Sequence, residues 1–186
     1  PDGYIIVRNH INNSSFTLFY NLNKQLEMKN KSYLLKYAID YLSKFDTSKK
    51  NLERILKMKI QRATKDKKDR FNLYSQIEYV LNELERNKLI NDQNYTYNKI
   101  RLFASQAKSK RFIQNYLSQK GIEKQVIQEK LKDFENNNYD WEKKSAFAFA
   151  KKKKLLETKE KFEKKLGKMA RAGFSYELCK QILKTD

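Results

Sequence analysis

The chain has 186 residues, of which 41 are Lys or Arg and 22 are Asp or Glu, so its formal net charge is +19. This basic excess indicates a polyanionic partner, most often nucleic acid, although a solvated surface on a helical protein is the simpler alternative. A single Cys excludes an intramolecular disulfide, and no apolar run is long enough to cross a bilayer. We therefore expect a cytoplasmic protein with no membrane partner.

Residues 1–30 differ in pattern from the rest of the chain. Residues 4–7 are apolar, and apolar side chains then alternate at period two through Phe16, Leu18, Tyr20 and Leu22. This pattern predicts a short β-hairpin or extended arm, and a partly disordered arm is the alternative.

The remainder is predicted to be helical, because it contains few Gly and the only Pro is residue 1. In the first part, apolar residues recur at helical spacing, and Asp46, Thr47 and Ser48 supply side-chain oxygens to cap the following helix. Residues 65–69 form a polar connector. A single helix should follow, with one apolar stripe running from Leu73 to Leu84. The inward positions expected in the opening helix are Leu35, Ala38, Ile39, Leu42 and Phe45.

Two further segments repeat this arrangement. Asn91 with Asp92, and Asp140, are expected to cap the helices that open these segments. Gly121 and Gly173 occupy equivalent turns, where positive φ favours Gly. The inward residues expected after Asp92 are Tyr97, Ile100, Phe103, Ala104 and Ala107. Repetition of this kind predicts an all-α tandem array of three three-helix repeats. Their predicted limits are residues 31–90, 91–137 and 138–186.

Lysines and arginines cluster along the chain, and these clusters are the candidate contacts with DNA or with an acidic partner. On DNA they would contact phosphates, which gives affinity without recognition of the base sequence. Solvation of helix faces, with Glu157, Glu160 and Glu163 making local ion pairs, is the alternative. The first cluster is Lys57, Lys59, Arg62, Lys65, Lys67, Lys68 and Arg70. The second is Lys108, Lys110 and Arg111, and the third is Lys151, Lys152, Lys153, Lys154, Lys164, Lys165, Lys168 and Arg171.

Catalytic, cofactor-binding and metal-binding patterns are absent from the sequence. His10 is the only His, and Cys179 lies on an apolar stripe, which is typical of a buried thiol. The aromatic residues are expected mainly in the core; Trp141 anchors the third repeat, and one of Phe147 and Phe149 points inward. The chain is therefore predicted not to be an enzyme.

Several short motifs, in their order and spacing, resemble the RecX family of bacterial regulators of the RecA recombinase. They are residues 87–95, the Leu117–Ile122 turn followed by Val126 and Ile127, Asp140 with Trp141, and residues 171–175. The resemblance covers roughly residues 31–185. The first repeat departs from it because Ile60 stands near the place of the turn Gly, and the third because its connection through residues 151–168 is longer and richer in Lys.

The resemblance implies an elongated, curved molecule, expected to be a monomer, that binds in the groove of RecA polymerised on single-stranded DNA. There it would act as a negative regulator in recombination, DNA repair and the SOS response, limiting the ATPase, strand-exchange and coprotease activities of RecA. A sequence-independent architectural DNA-binding protein acting without RecA is one alternative. A scaffold that binds an acidic protein and no nucleic acid is another.

Overall fold

The computed structural model describes residues 33–184. The chain divides into two compact units, one ending at Asp92 and the other beginning at Gln93. Every regular element within residues 33–184 is a helix, so the predicted all-α class is confirmed there. None of these helices is long and apolar enough to span a membrane. The arm predicted for residues 1–30, including His10, lies outside the described residues.

The first unit is built from an opening helix, a long second helix and a pair of shorter ones. These are α1 (Tyr33–Leu42), α2 (Lys49–Ala63), α3 (Lys67–Ser75) and α4 (Ile77–Arg86). Their inward faces form one core, because apolar residues three and four apart lie on the same side of a helix. The largest fully buried side chains in this core are Leu34, Leu35, Ile39, Leu52, Leu56, Ile60 and Leu84.

Three sequence predictions for the first unit are wrong in detail. The helix expected to run through Leu73 and Leu84 is interrupted at Gln76, whose N–H bonds to the Leu73 carbonyl, and the expected connector mostly belongs to α3. The apolar stripe does not continue through the break, since α3 buries none of its residues while α4 buries four. Phe45 is 54% exposed, because α1 ends at Leu42 and the helical register stops there.

The second unit contains the remaining helices. These are α5 (Asp92–Ser105, whose first residue closes the first unit), α6 (Lys110–Gln119), α7 (Lys124–Asn137), α8 (Trp141–Lys152), α9 (Phe162–Arg171) and α10 (Tyr176–Leu183). One core cluster gathers residues of α5, α6 and α7 with Trp141, whose ring meets that of Phe134 edge-on. Another gathers α8, α9 and α10, with Phe149 packed on Phe174. The inward position of Phe149 is thus confirmed. Trp141 is buried, but it packs in the cluster of α5, α6 and α7 and not in that of α8, α9 and α10, which it was predicted to anchor.

Two predictions for α5 and α8 need correction. Tyr97 was expected inside but is 41% exposed, because Tyr95, Thr96 and Ile100 form the buried face of α5. Asp140 precedes α8 as predicted, but its side chain makes no capping hydrogen bond and its backbone is left-handed, with φ of 59°.

Five of the described helices end in one turn geometry. Gly121 and Gly173 have φ of 80° and 94°, which confirms the positive φ predicted for both. After Gly121, the Ile122 N–H reaches back to the Leu117 carbonyl, and the Gly121 N–H reaches Ser118, the bonds of a Schellman motif. The same bonds close the turns at Lys88, Ala107 and Lys154, which adopt positive φ without being Gly.

Corresponding contacts recur between successive segments. Ser48 and Ser109 cap α2 and α6, each accepting a hydrogen bond from a backbone N–H three residues later. The next residue in each case, Lys49 or Lys110, donates its own N–H to a carboxylate at the start of a later helix. These contacts fit the division into three copies at residues 31–90, 91–137 and 138–186, which stays a prediction.

Candidate anion-binding surface

The first basic cluster surrounds the junction of α2 and α3. Arg62, Lys65, Lys67 and Lys68 are exposed there. Arg70 has a structural role instead, since its Nε donates to the Thr64 carbonyl at 2.8 Å and its second nitrogen to that of Gln61 at 3.4 Å. Because the last carbonyls of a helix lack intrahelical partners, this guanidinium closes α2 in the copy that has no turn Gly.

The α2 members of this cluster have partners within the first unit. Lys57 Nζ lies 2.6 Å from Glu53, and Lys59 Nζ lies 5.0 Å from the ring centre of Tyr37. Hydrogen bonds from Lys50 and Lys57 hold the pKa of Glu53 below its ordinary value, with the charges of both lysines acting in the same direction. Lys57 and Lys59 are consequently less available to an outside anion than the exposed cations beside them.

The second cluster also contains both cations with internal partners and an exposed cation. Lys108 lies over the Phe112 ring at 4.7 Å, and Lys110 pairs with Glu135 at 2.8 Å, while Arg111 is exposed. Lys110 also donates its backbone N–H to Glu142 at 2.9 Å. Lys110 therefore links α6 to α7 and α8, and Arg111 is the member best placed to meet a partner.

The cluster at residues 151–154 is fully exposed. None of its four lysines forms an ion pair with any residue in the described range 33–184. The sequence placed all four on a helix, but α8 ends at Lys152, Lys153 is its C-cap and Lys154 turns into the left-handed region. Burial of Leu155 follows this turn, which leaves the lysines projecting from the end of the helix.

The last group lies on and around α9. Lys168 Nζ contacts both carboxylate oxygens of Glu160, at 2.6 and 2.7 Å, and this hydrogen bonding lowers the pKa of Glu160. Lys164 and Arg171 are exposed, and Lys165 is half-buried. The ion pairing expected around residues 157–163 thus occurs at Glu160, but it spans eight residues rather than four.

Two exposed side chains of the second unit lie outside the predicted set and are further candidates for contact with a partner. Arg101 of α5 was not predicted, and Tyr97 was assigned to the core; the guanidinium carbon of Arg101 lies 5.8 Å from the ring centre of Tyr97. These two residues could have been found in the sequence from the four-residue spacing between a ring and a cation, which recurs at Phe147 and Lys151.

No metal-binding group of three or more His, Cys, Asp or Glu side chains occurs among residues 33–184. Cys179 is buried, its thiol lies 3.7 Å from the Phe174 carbonyl, and burial raises the pKa of the thiol. Since the thiolate is the reactive form, this Cys belongs to the core.

A basic, all-α protein built from successive helical segments with exposed cations is therefore the class defined by the fold and the surface. Over 163 residues the chain is 29% identical to Regulatory protein RecX of Myxococcus xanthus (strain DK1622). The match covers 83% of this chain and 86% of that protein. No model of a known protein family matches it.

Two crystal structures share the fold. RecX from Lactobacillus salivarius superposes with a TM-score of 0.59 at 22% identity, covering 81% of this chain and 92% of that one. A second structure, of regulatory protein RecX, has a TM-score of 0.60 at 18% identity, with 92% and 86% covered. The sequence match and the two shared folds together support a RecX family protein, which confirms the resemblance carried by the motifs.

Proposed function

We propose that this protein is a negative regulator of RecA that binds the filament formed by RecA on single-stranded DNA. The observation that carries the proposal is the match to a protein named Regulatory protein RecX across 86% of that protein's length. The proposed consequence is reduced ATP hydrolysis, strand exchange and coprotease activity of RecA. The cytoplasmic location and the monomeric state remain predictions beside it.

The exposed cations supply the proposed physical basis. The lysines at 151–154 and the exposed members of the α2–α3 junction form no ion pair within the described residues, while the whole chain carries +19. A filament on single-stranded DNA offers phosphates, and neutralising them releases condensed counterions. Successive helical units can contact more than one point along such a filament, so a small number of bound molecules is expected to affect many RecA protomers.

The test is RecA ATP hydrolysis on single-stranded DNA, with this protein titrated at substoichiometric ratios. A steep fall in rate, at concentrations where binding to bare DNA is too weak to displace RecA, is the expected result. An unchanged rate with the cognate RecA would refute the proposal. Displacement is measured in parallel with a labelled strand, so that competition for DNA is separated from regulation of the filament.

An architectural DNA-binding role is the second candidate, and the net charge favours it. The two are separated by affinity, because a filament regulator binds RecA-coated strands more tightly than bare strands at the same salt concentration. Equal affinity for both would favour the architectural role. Binding to neither would favour the acidic-protein scaffold, for which the test partner is an acidic polypeptide without nucleic acid.

A further inference from the structure

Helices α5 and α8 present the same pair of side chains on their outer surfaces. In α5 the ring of Tyr97 is 41% exposed beside the exposed Arg101. In α8 the ring of Phe147 is 48% exposed, and the exposed Lys151 follows one helical turn later. Because residues four apart share a helix face, each helix carries an aromatic ring and a cation side by side.

The two pairs occupy equivalent places. One constant shift in numbering that brings Tyr97 onto Phe147 also brings the buried Thr96 and Ile100 onto the buried Ala146 and Ala150. The inward faces of the two helices therefore correspond residue by residue, and both rings are left outside the core. Single exposed rings are ordinary on a protein surface, so the observation that points to a partner is their repetition at equivalent places, each four residues before a cation.

Helix α1 lacks this arrangement. When α1 is aligned with α5 by the offset in numbering that relates the capping residues Ser48 and Ser109, Lys36 corresponds to Tyr97 and Asp40 corresponds to Arg101. A cation replaces the ring and a carboxylate replaces the cation, so α1 lacks the four-residue pair at this position; its rings at Tyr33 and Tyr37 lie instead near Lys59 of α2.

The charge on these faces is one-sided. Within α5 and α8 the only carboxylates are Asp92 and Glu142, at the helix starts. Asp92 accepts the N–H of Lys49 at 2.8 Å, and Glu142 accepts that of Lys110 at 2.9 Å. The rest of each helix is neutral or basic, so a ligand beside the rings meets positive charge with no carboxylate from the same helix face.

We propose that these two faces form a single-strand nucleic-acid site, in which bases stack on Tyr97 and Phe147 while Arg101 and Lys151 contact phosphates. Exposed rings beside cations are the arrangement that binds single strands without sequence preference. A duplex hides its base faces, and an acidic protein surface would satisfy the cations without using the rings. This contact needs no RecA, so it can be tested separately from the proposed regulation.

The test compares oligothymidylate with a strand of equal length made of abasic nucleotides, by fluorescence anisotropy. The double variant Tyr97→Ala/Phe147→Ala should bind oligothymidylate about tenfold more weakly or worse, since stacking on each ring is worth roughly 5- to 150-fold. Its affinity for the abasic strand should be unchanged. Arg101→Gln/Lys151→Gln should instead weaken binding to both strands and reduce the slope of log affinity against log salt by about 1.4.

Tyr79→Ala is the matched control, because Tyr79 is 52% exposed on α4 but has Glu83 at the position of the cation. It should bind like the wild type. Helical circular dichroism and melting temperature verify folding, and Tyr97→Leu/Phe147→Leu, which keeps apolar volume without a ring, repeats the test independently. Unchanged binding to oligothymidylate, or equal loss on both strands, overturns the site. A loss of affinity confined to RecA-coated strands would assign these faces to protein contact and would also overturn the proposed site. An unaffected RecA ATPase would bear only on the proposed regulation.

Discussion

Replacing Gly173 with Ala places a methyl group where both the backbone and a neighbouring helix exclude one. The residue has φ of 94°, and an added Cβ would lie 2.5 Å from the Ser109 Oγ and 3.3 Å from the Arg111 Cβ. Ser109 is already engaged, since its hydroxyl donates to the Ala172 carbonyl at 2.7 Å and accepts the Phe112 N–H that it caps. The substitution therefore strains the turn and displaces the cap of α6 together.

The expected destabilisation follows from these contacts. Left-handed backbone at a non-Gly residue costs about 1–2 kcal/mol. Loss of an N-cap costs about 1 kcal/mol, and loss of the hydrogen bond to Ala172 about 1 kcal/mol more. The total is roughly 3–4 kcal/mol. Gly121→Ala, which shares the positive φ, should lose only the backbone contribution of about 1–2 kcal/mol.

The free energy of unfolding of both variants is measured by urea unfolding, followed by the fluorescence of Trp141. Trp141 is the only Trp of the chain and is buried in the second unit. In the background of Ser109→Ala the obstructing oxygen is gone, so Gly173→Ala should then cost no more than Gly121→Ala. Equal costs of the two Gly substitutions in the wild-type background would refute the close approach of the turn to Ser109. Absence of coupling between Gly173 and Ser109 would refute it as well.

Three further predictions concern stability and charge. Ala107→Gly should raise the free energy of unfolding by about 1 kcal/mol, since φ at Ala107 is 58°; a loss of stability on urea unfolding would contradict this. Reversing the lysines at 151–154 to Glu should weaken filament binding and inhibition of RecA without changing circular dichroism, with a four-Gln variant intermediate; undiminished inhibition would show that the cluster only solvates the helix end. Glu53→Gln should destabilise by a few tenths of a kcal/mol, roughly, at neutral pH. Because the pKa of Glu53 is lowered in the folded protein, this difference should vanish as pH falls through the folded pKa; a difference that grows on acidification would contradict the pairing with Lys50 and Lys57.

Local features were predictable because their causes lie within a few residues. The cap at Ser48 and the turns at Gly121 and Gly173 depend on backbone groups next to them in the chain. The buried stripe Ile77, Val80, Leu81 and Leu84 follows from helical spacing alone. The break at Gln76 was missed because the apolar pattern runs on through Leu73, although α3 buries none of its residues.

The helical class, the family resemblance and the basic character follow from the amino-acid sequence, since periodicity, motif order and net charge are properties of the chain order. Which cations remain available depends on the folded structure. Arg70 closes α2, Lys110 meets Glu135, and Lys168 meets Glu160, whereas the lysines at 151–154 meet no described carboxylate. A cation is neutralised by whatever the fold brings within a few ångströms, and the spacing of charges along a sequence does not contain that distance.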